Sequence, residues 1–302
     1  MMASAIFIDL RLINIIMGAV FLVPSLLIQG HGDSLAFEQT VPLNVRVINN
    51  ISTEIWGHFW NPEFSYPVVE ENISKLELVL LCVPIPLFII LVSTLISFCI
   101  ANCGDSKAAL AENIEPNHAD RPACTKWSIF RIGLRVMDGY SGLLESAAFT
   151  LLVTLLLKLA VGQPRPNYRK IREEDPVDAI SSFPSAHASI AFSAFTYASL
   201  TLWSSVASTL VKKRRMHVLI LPLLLVCTAP MCLASWIAVT RVQNYLHRCV
   251  DILGGAVIGL SSSVMFFRIH ESVPKPSFIS PPEPVKEVEK KPKNILLTMS
   301  KP

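Results

Sequence analysis

Lys158 and Arg165 stand seven residues apart at the end of one apolar run. Pro184, Ser185, Ala186 and His187 open a second, and Arg241, His247 and Asp251 lie between two more. Cations and histidines at the ends of apolar segments are costly to bury unless their charge has a task. Together these residues offer three fixed cations, two imidazoles and a carboxylate. A phosphate dianion passing through a trigonal-bipyramidal transition state needs that set.

Each fragment has a plainer alternative. Gly162, Pro164 and Pro166 break the helix after Lys158, so the chain turns and the ammonium and guanidinium converge on one anion. The guanidinium offers a planar fork for two phosphate oxygens and the ammonium a compact charge. Two interfacial cations snorkelling to lipid headgroups would read the same. Ser185 and His187 sit where a loop feeds a helix, whose free N–H groups and positive dipole end suit an anion. There the Ser185 hydroxyl and the N–H groups of Ala186 and His187 could touch phosphate, and His187 could protonate a leaving alkoxide. Ser185 could equally be an ordinary N-cap. His247 and Asp251 are four apart and share one helical face if the last helix begins early. A carboxylate accepting one ring N–H makes the other ring nitrogen a better nucleophile. The alternative is a surface His–Asp pair of little consequence. All three alternatives would have to hold at once, by accident, at one membrane surface.

Six apolar stretches are long enough to cross a bilayer as helices and would position these residues. They run roughly over 12–29, 76–100, 140–161, 188–206, 217–239 and 250–269. Across 302 residues the chain is 52% hydrophobic, and a mean hydropathy of +0.49 is high for a soluble domain of this size. The predicted class is all-α, an integral membrane bundle of six transmembrane helices with a disordered C-terminal tail. The first stretch lacks a basic start and a clear cleavage site, and is expected to stay as an anchor. A net charge of +3 argues against a nucleic-acid binder. The seven cysteines form no zinc pattern, and no carboxylate cluster suggests a metal. Glu145, inside the third stretch, has no evident role and is expected to find a polar partner in the bundle or to be protonated.

Basic residues orient the bundle. The short link 207–216 carries Lys212, Lys213, Arg214 and Arg215 and reads as cytosolic. The link 101–138 and the Pro-, Lys- and Glu-rich tail 272–302 fall on the same side. The link 30–75 is acidic and carries Asn-x-Ser sequons at Asn50 and Asn72, as an extracytoplasmic loop would. Residues 1–271 are expected to form one membrane domain. With six crossings, the third-to-fourth and fifth-to-sixth links share the face away from the cytosol, so topology alone gathers every candidate residue at one surface.

At these residues the chain resembles the phosphatidic acid phosphatase type 2 superfamily. That pattern reads Lys-x6-Arg-Pro, Pro-Ser-Gly-His and Ser-Arg-x5-His-x3-Asp. It stands here as Lys158 to Pro166, Pro184 to His187 and Thr240 to Asp251. The size, the six spans and Phe64-Ser65-Tyr66-Pro67 resemble the lipid phosphate phosphatase branch. The resemblance implies His247 as nucleophile forming a phosphohistidine, Asp251 orienting it, and His187 protonating the departing alcohol and then activating water. Lys158, Arg165, Arg241, Ser185 and the N–H of Ala186 would hold the phosphoryl oxygens, with no metal and no cofactor. Ala186 replaces the family glycine, so its Cβ would crowd the phosphate or forbid a positive φ. Thr240 replaces the family serine and keeps a hydroxyl.

The resemblance thus implies a lipid phosphomonoesterase acting on phosphatidate, lysophosphatidate or phosphorylated sphingoid and ceramide lipids, and so a role in lipid signalling. Its partners would be those lipids and the bilayer, with the oligomeric state open. The site would face the cell exterior, or the lumen of the endoplasmic reticulum or Golgi. Two other classes compete. A phosphotransferase of the sphingomyelin-synthase kind lacks the Lys158–Arg165 element. A non-catalytic membrane interaction protein would have lost residues that are intact here.

Overall fold

The computed structural model describes residues 16, 18–27, 64–111, 121–211 and 220–272, together with strand residues within 44–59. The lysine- and arginine-bearing link 212–215, most of the acidic link and the tail 273–302 lie outside the described residues.

Helices build the molecule. They are α1 (Gly18–Leu27), α2 (Lys75–Cys82), α3 (Pro84–Ala111), α4 (Arg121–Val161), α5 (Tyr168–Ile171), α6 (Pro176–Ala179), α7 (Ala186–Val211), α8 (Ile220–Gln243) and α9 (Cys249–Ser272). Beside them stand two short antiparallel ladders, one nested in the other: Asn44–Val45 with His58–Phe59, and Ile48–Asn50 with Thr53–Ile55. Asn50 lies in the inner ladder. The sequence pattern pointed only to a loop there.

Local signals fix the helix ends. Ser74 and Glu77 form a capping box at α2: the Ser74 hydroxyl accepts from Glu77 N at 3.3 Å, and the Glu77 carboxylate accepts from Ser74 N at 2.7 Å. Pro84 and Pro86 fall at the start of α3, where a missing N–H costs least. Gly162, at φ 58°, closes α4 by donating to the Lys158 carbonyl at 3.0 Å. α4 is longer than its apolar core. It starts at Arg121 and runs for 41 residues, about 60 Å at 1.5 Å per residue. Most of the link 101–138 is therefore helical, an extension of α3 and α4 beyond their apolar cores.

Among the described residues, four segments are long and apolar enough to cross a membrane: Lys75–Cys99, Ile132–Val161, Ile220–Gln243 and Cys249–Ser272. Their outer faces expose Leu76, Phe88, Leu221, Leu225, Trp236, Val250, Leu253 and Val257, an apolar surface of the kind a bilayer covers. The chain is a membrane protein. Two of the six expected spans are not among the four. The first appears as the shorter apolar helix α1, and the fourth, α7, is long but less apolar.

The composition of α7 follows from its place. It packs against α3, α4, α8 and α9, and Ala188, Ala191, Ala194, Phe195 and Ala198 are buried along it. A helix walled by protein need not dissolve in lipid, so serines and threonines are tolerated if they pair. Ser146 of α4 meets Ser193 of α7 at 2.8 Å and Ser263 of α9 at 3.2 Å, and Thr154 donates to Ser189 at 2.9 Å. Small residues let the backbones approach. A Cβ on Gly255 would lie 2.6 Å from the Ser185 carbonyl, and one on Gly259 would meet the Ser189 carbonyl. Thus α7 and α9 run side by side in register from a common starting end. The partner of Glu145 is His270, whose Nε2 lies 3.1 Å from its carboxylate near the far end of α9.

Candidate active site

The start of α7, the start of α9, the end of α4 and the end of α8 meet at one end of the bundle. The link is made by atoms. The Asp251 carbonyl accepts from Ser185 N at 3.0 Å, and its carboxylate accepts from the Ser182 hydroxyl at 2.6 Å. Lys158 donates to the Ser181 carbonyl, so the last turn of α4 joins the same loop. That loop, with a cis peptide before Pro184, is tied back by Ser182 N to the Gln163 carbonyl at 2.8 Å.

Arg165 lies just past the Gly162 turn. Its Nε donates to the Asp178 carbonyl at 2.7 Å and its guanidinium pairs with the Asp178 carboxylate. Ser185 is the residue before α7, and its hydroxyl accepts from Ala188 N at 3.4 Å, the geometry of an N-cap. Ala186 is the first residue of α7, and among the described residues only Tyr245 and Gly162 have positive φ. The concern over a positive φ at Ala186 is thereby removed: its helical backbone accepts a Cβ. His187 stands in the first turn of α7, within electrostatic reach of Arg241, His247, Arg165 and Lys158.

Arg241 is fully buried at the end of α8. Its Nε faces Thr240 Oγ1 at 3.3 Å and its Nη1 donates to the Glu71 carboxylate at 3.1 Å. Its carbonyl accepts from Leu246 N and His247 N, at 3.1 and 3.3 Å. This tight turn, with Tyr245 at φ 54°, folds the imidazole back beneath the helix end.

His247 and Asp251 do not share a helical face, as their spacing suggested. α9 begins at Cys249, so His247 precedes it, and Asp251 sits in its first turn with its carboxylate accepting Arg248 N at 2.8 Å. The reach-back of an acidic third residue to the helix-start N–H accounts for this. His247 Nδ1 lies 3.8 Å from Asp251 Oδ2, beyond hydrogen-bond distance. Catalytic hydrogen bonds are often long in empty sites and tighten around a ligand. Burial holds the His247 ring well below its usual range, at about 3; the Asp251 carboxylate opposes that shift, and the Arg165 and Lys158 charges add to it. The protein alone therefore presents a neutral imidazole here at pH 7.

Among the described residues, several buried polar atoms here have no hydrogen-bond partner: His187 Nε2, His247 Nδ1, Arg241 Nη2 and Asp251 Oδ1. Each is an unmet hydrogen-bonding demand. Among the described residues, no group of three His, Cys, Asp or Glu side chains is placed to hold a metal.

Three residues at the site carry no motif signal. Ser182 looks like any loop serine, and Asp178 and Glu71 look like surface acids. Only their contacts with Asp251, Arg165 and Arg241 mark them out. Asn72, beside Glu71, is exposed.

All three motifs fall inside residues 139–274, which match the family model of the PAP2 superfamily. The likeness to that superfamily is confined to this segment, which holds the whole candidate site. Curated proteins of similar sequence include a PA-phosphatase related-family protein of Dictyostelium discoideum, 34% identical over 131 residues, covering 42% of this chain and 46% of that one. Lipid phosphate phosphatase 2 of Arabidopsis thaliana is 31% identical over 140 residues (40% and 46%). Probable diacylglycerol pyrophosphate phosphatase 1 of Schizosaccharomyces pombe is 30% identical over 149 residues (42% and 51%). The chain spans about half the length of the curated relatives it matches. No solved structure gives a significant match.

Proposed function

We propose that this protein is a lipid phosphate phosphatase that cleaves phosphomonoesters such as phosphatidate through a phosphohistidine. The supporting observation is the junction at Asp251, which ties together the His247 turn, the Ser182–His187 loop and, through that loop, Lys158. Lys158, Arg165 and Arg241 would take the phosphoryl oxygens, with the Ser185 hydroxyl and the Ala186 N–H completing the cradle. With Nδ1 turned toward Asp251, Nε2 of His247 is left to attack phosphorus. Burial, with the Arg241, His247, Arg165 and Lys158 charges, holds the His187 ring low, at about 3; the incoming phosphoryl dianion opposes both, so the ring takes up a proton as substrate binds and, as the P–O bond to the lipid breaks, gives that proton to the leaving oxygen. Neutral His187 then takes a proton from water as the water oxygen attacks phosphorus. The N–P bond breaks, His247 is restored and inorganic phosphate departs. No step calls for a metal ion.

We place the site on the face away from the cytosol, the side that six crossings with a cytosolic basic link 212–215 between the fourth and fifth would give it. The acyl chains would then stay in the bilayer while the headgroup reaches the site, at the cell exterior or in the endoplasmic reticulum or Golgi lumen. Residues 1–271 would be the catalytic domain, 272–302 a cytosolic tail, and Asn50 and Asn72 glycan acceptors.

The test is phosphate release by purified protein across lipid and sugar phosphates, with and without EDTA. His247→Ala should abolish release from phosphatidate while the protein still inserts and folds. Full activity in that variant would remove His247 from the mechanism, and strong inhibition by EDTA would argue for a metal. Transfer of phosphate to a lipid alcohol in place of water would favour a phosphotransferase, and no activity on any substrate an interaction protein.

A further inference from the structure

Glu71 stands 170 positions from Arg241 in sequence, yet its carboxylate is the one counter-charge found on that guanidinium among the described residues. The two ends differ sharply in exposure: the Arg241 side chain is 0% exposed and that of Glu71 43%. A segment leading into α2 carries Glu71 across the mouth of the site and is fastened on both sides. On one side Phe64 is buried with Tyr168, Ala179 and Ile180, beneath the Arg248 guanidinium at 5.0 Å. Next, Tyr66 N donates to the Pro166 carbonyl at 3.2 Å, and its ring stacks on Tyr245 at 4.9 Å. On the other side Ile73 is buried and Ser74 caps α2. Between these anchors Glu70, Glu71 and Asn72 are exposed, and only Glu71 reaches inward.

We infer that Glu71 is a built-in competing anion: it holds Arg241 while the site is empty and is displaced when a phosphoryl group arrives. The inference rests on the proposed role of Arg241 as a phosphate-binding residue. A buried guanidinium without a counter-charge is costly, so the empty site needs an anion there. A carboxylate on an exposed, surface-facing arm can leave for water at little cost, whereas a buried one could not. Both ligands are oxygen anions that suit the same planar fork, so they exclude one another at Nη1. The affinity of the site for phosphate is then the intrinsic affinity reduced by the strength of the Glu71–Arg241 pair.

Glu71→Gln removes the competing charge and keeps the shape of the arm. Binding of inorganic phosphate and vanadate, read by calorimetry and by the thermal midpoint, should tighten up to about fivefold, the upper end for an exposed ion pair. The KM for phosphatidate should fall in parallel with kcat little changed. Glu70→Gln, an exposed neighbour with no ion pair to Arg241 among the described residues, should leave binding as it was, and Glu71→Asp should fall between wild type and Glu71→Gln. Weaker phosphate binding in Glu71→Gln would mean that Glu71 positions Arg241 instead of competing for it, and unchanged binding would mean no competition; either result overturns the inference. The binding measurements are repeated in the His247→Ala background, where no turnover is needed. If the protein hydrolyses no phosphomonoester but Glu71→Gln still tightens phosphate, the activity assignment fails and the competing anion stands.

Discussion

Replacing Gly255 with alanine should damage the site from outside it. The added Cβ would lie 2.6 Å from the Ser185 carbonyl and 3.1 Å from both Ala188 Cβ and Ser189 N. Ordinary contact begins at 3.4 Å, so α7 and α9 must part by 0.8 Å at the first pair. The obstacle is backbone, which has no rotamer to escape into. Overpacking of this kind costs about 1–3 kcal/mol. Ser185 also carries the site: its N donates to the Asp251 carbonyl, so the shift moves the His187 loop away from the His247 turn. A misplacement near 1 Å can cost about a hundredfold in rate, so kcat on phosphatidate should fall roughly 10- to 100-fold. Gly133→Ala is the matched control. Nothing lies within 4 Å of its added Cβ, and in a helix it should be neutral or stabilise by about 0.5–1 kcal/mol. Thermal midpoints in detergent and phosphate release would be measured for both. Wild-type midpoint and rate in Gly255→Ala would refute the claim that this contact sets the geometry of the site.

Two further outcomes are expected. Ser182→Ala removes the 2.6 Å hydrogen bond to the buried Asp251 carboxylate, leaving an acceptor short of one donor. It should cost about 1–3 kcal/mol in stability and lower kcat more than it changes KM, and equal loss in both would argue against a positioning role. The second concerns pH. The folded His247 lies near 3 and the unfolded ring near its ordinary 6.5, so between those values the unfolded chain binds the extra proton. Stability from this group is therefore complete above pH 6.5 and drains away as pH falls toward 3. Thermal midpoints of wild type should fall more steeply than those of His247→Ala between pH 7 and 4, and parallel curves would contradict a buried neutral ring.

Much of this was legible locally. A helix stop depends on a few neighbours, so Gly162 and the prolines at 164 and 166 marked the end of α4, which the structure closes at Val161. The three motifs were legible for a related reason. Each places unusual charge at the end of an apolar run, and parity brings such ends together whatever the packing details. α7 was harder. Its serines and threonines lower its hydropathy because protein, not lipid, surrounds it, and only the bundle reveals Ser146, Ser193 and Ser263 as mutual partners.

The sequence by itself determined which side chains could meet a phosphate and at which end of the bundle they stand. Tertiary structure alone decided what those side chains hold meanwhile: Asp178 on Arg165, Glu71 on Arg241, Ser181 on Lys158 and Ser182 on Asp251. The physical reason is range. Helix formation is read over a turn or two of chain, whereas a carboxylate 170 residues from its arginine leaves no trace in local pattern. Its place is fixed only when packing brings the two segments together.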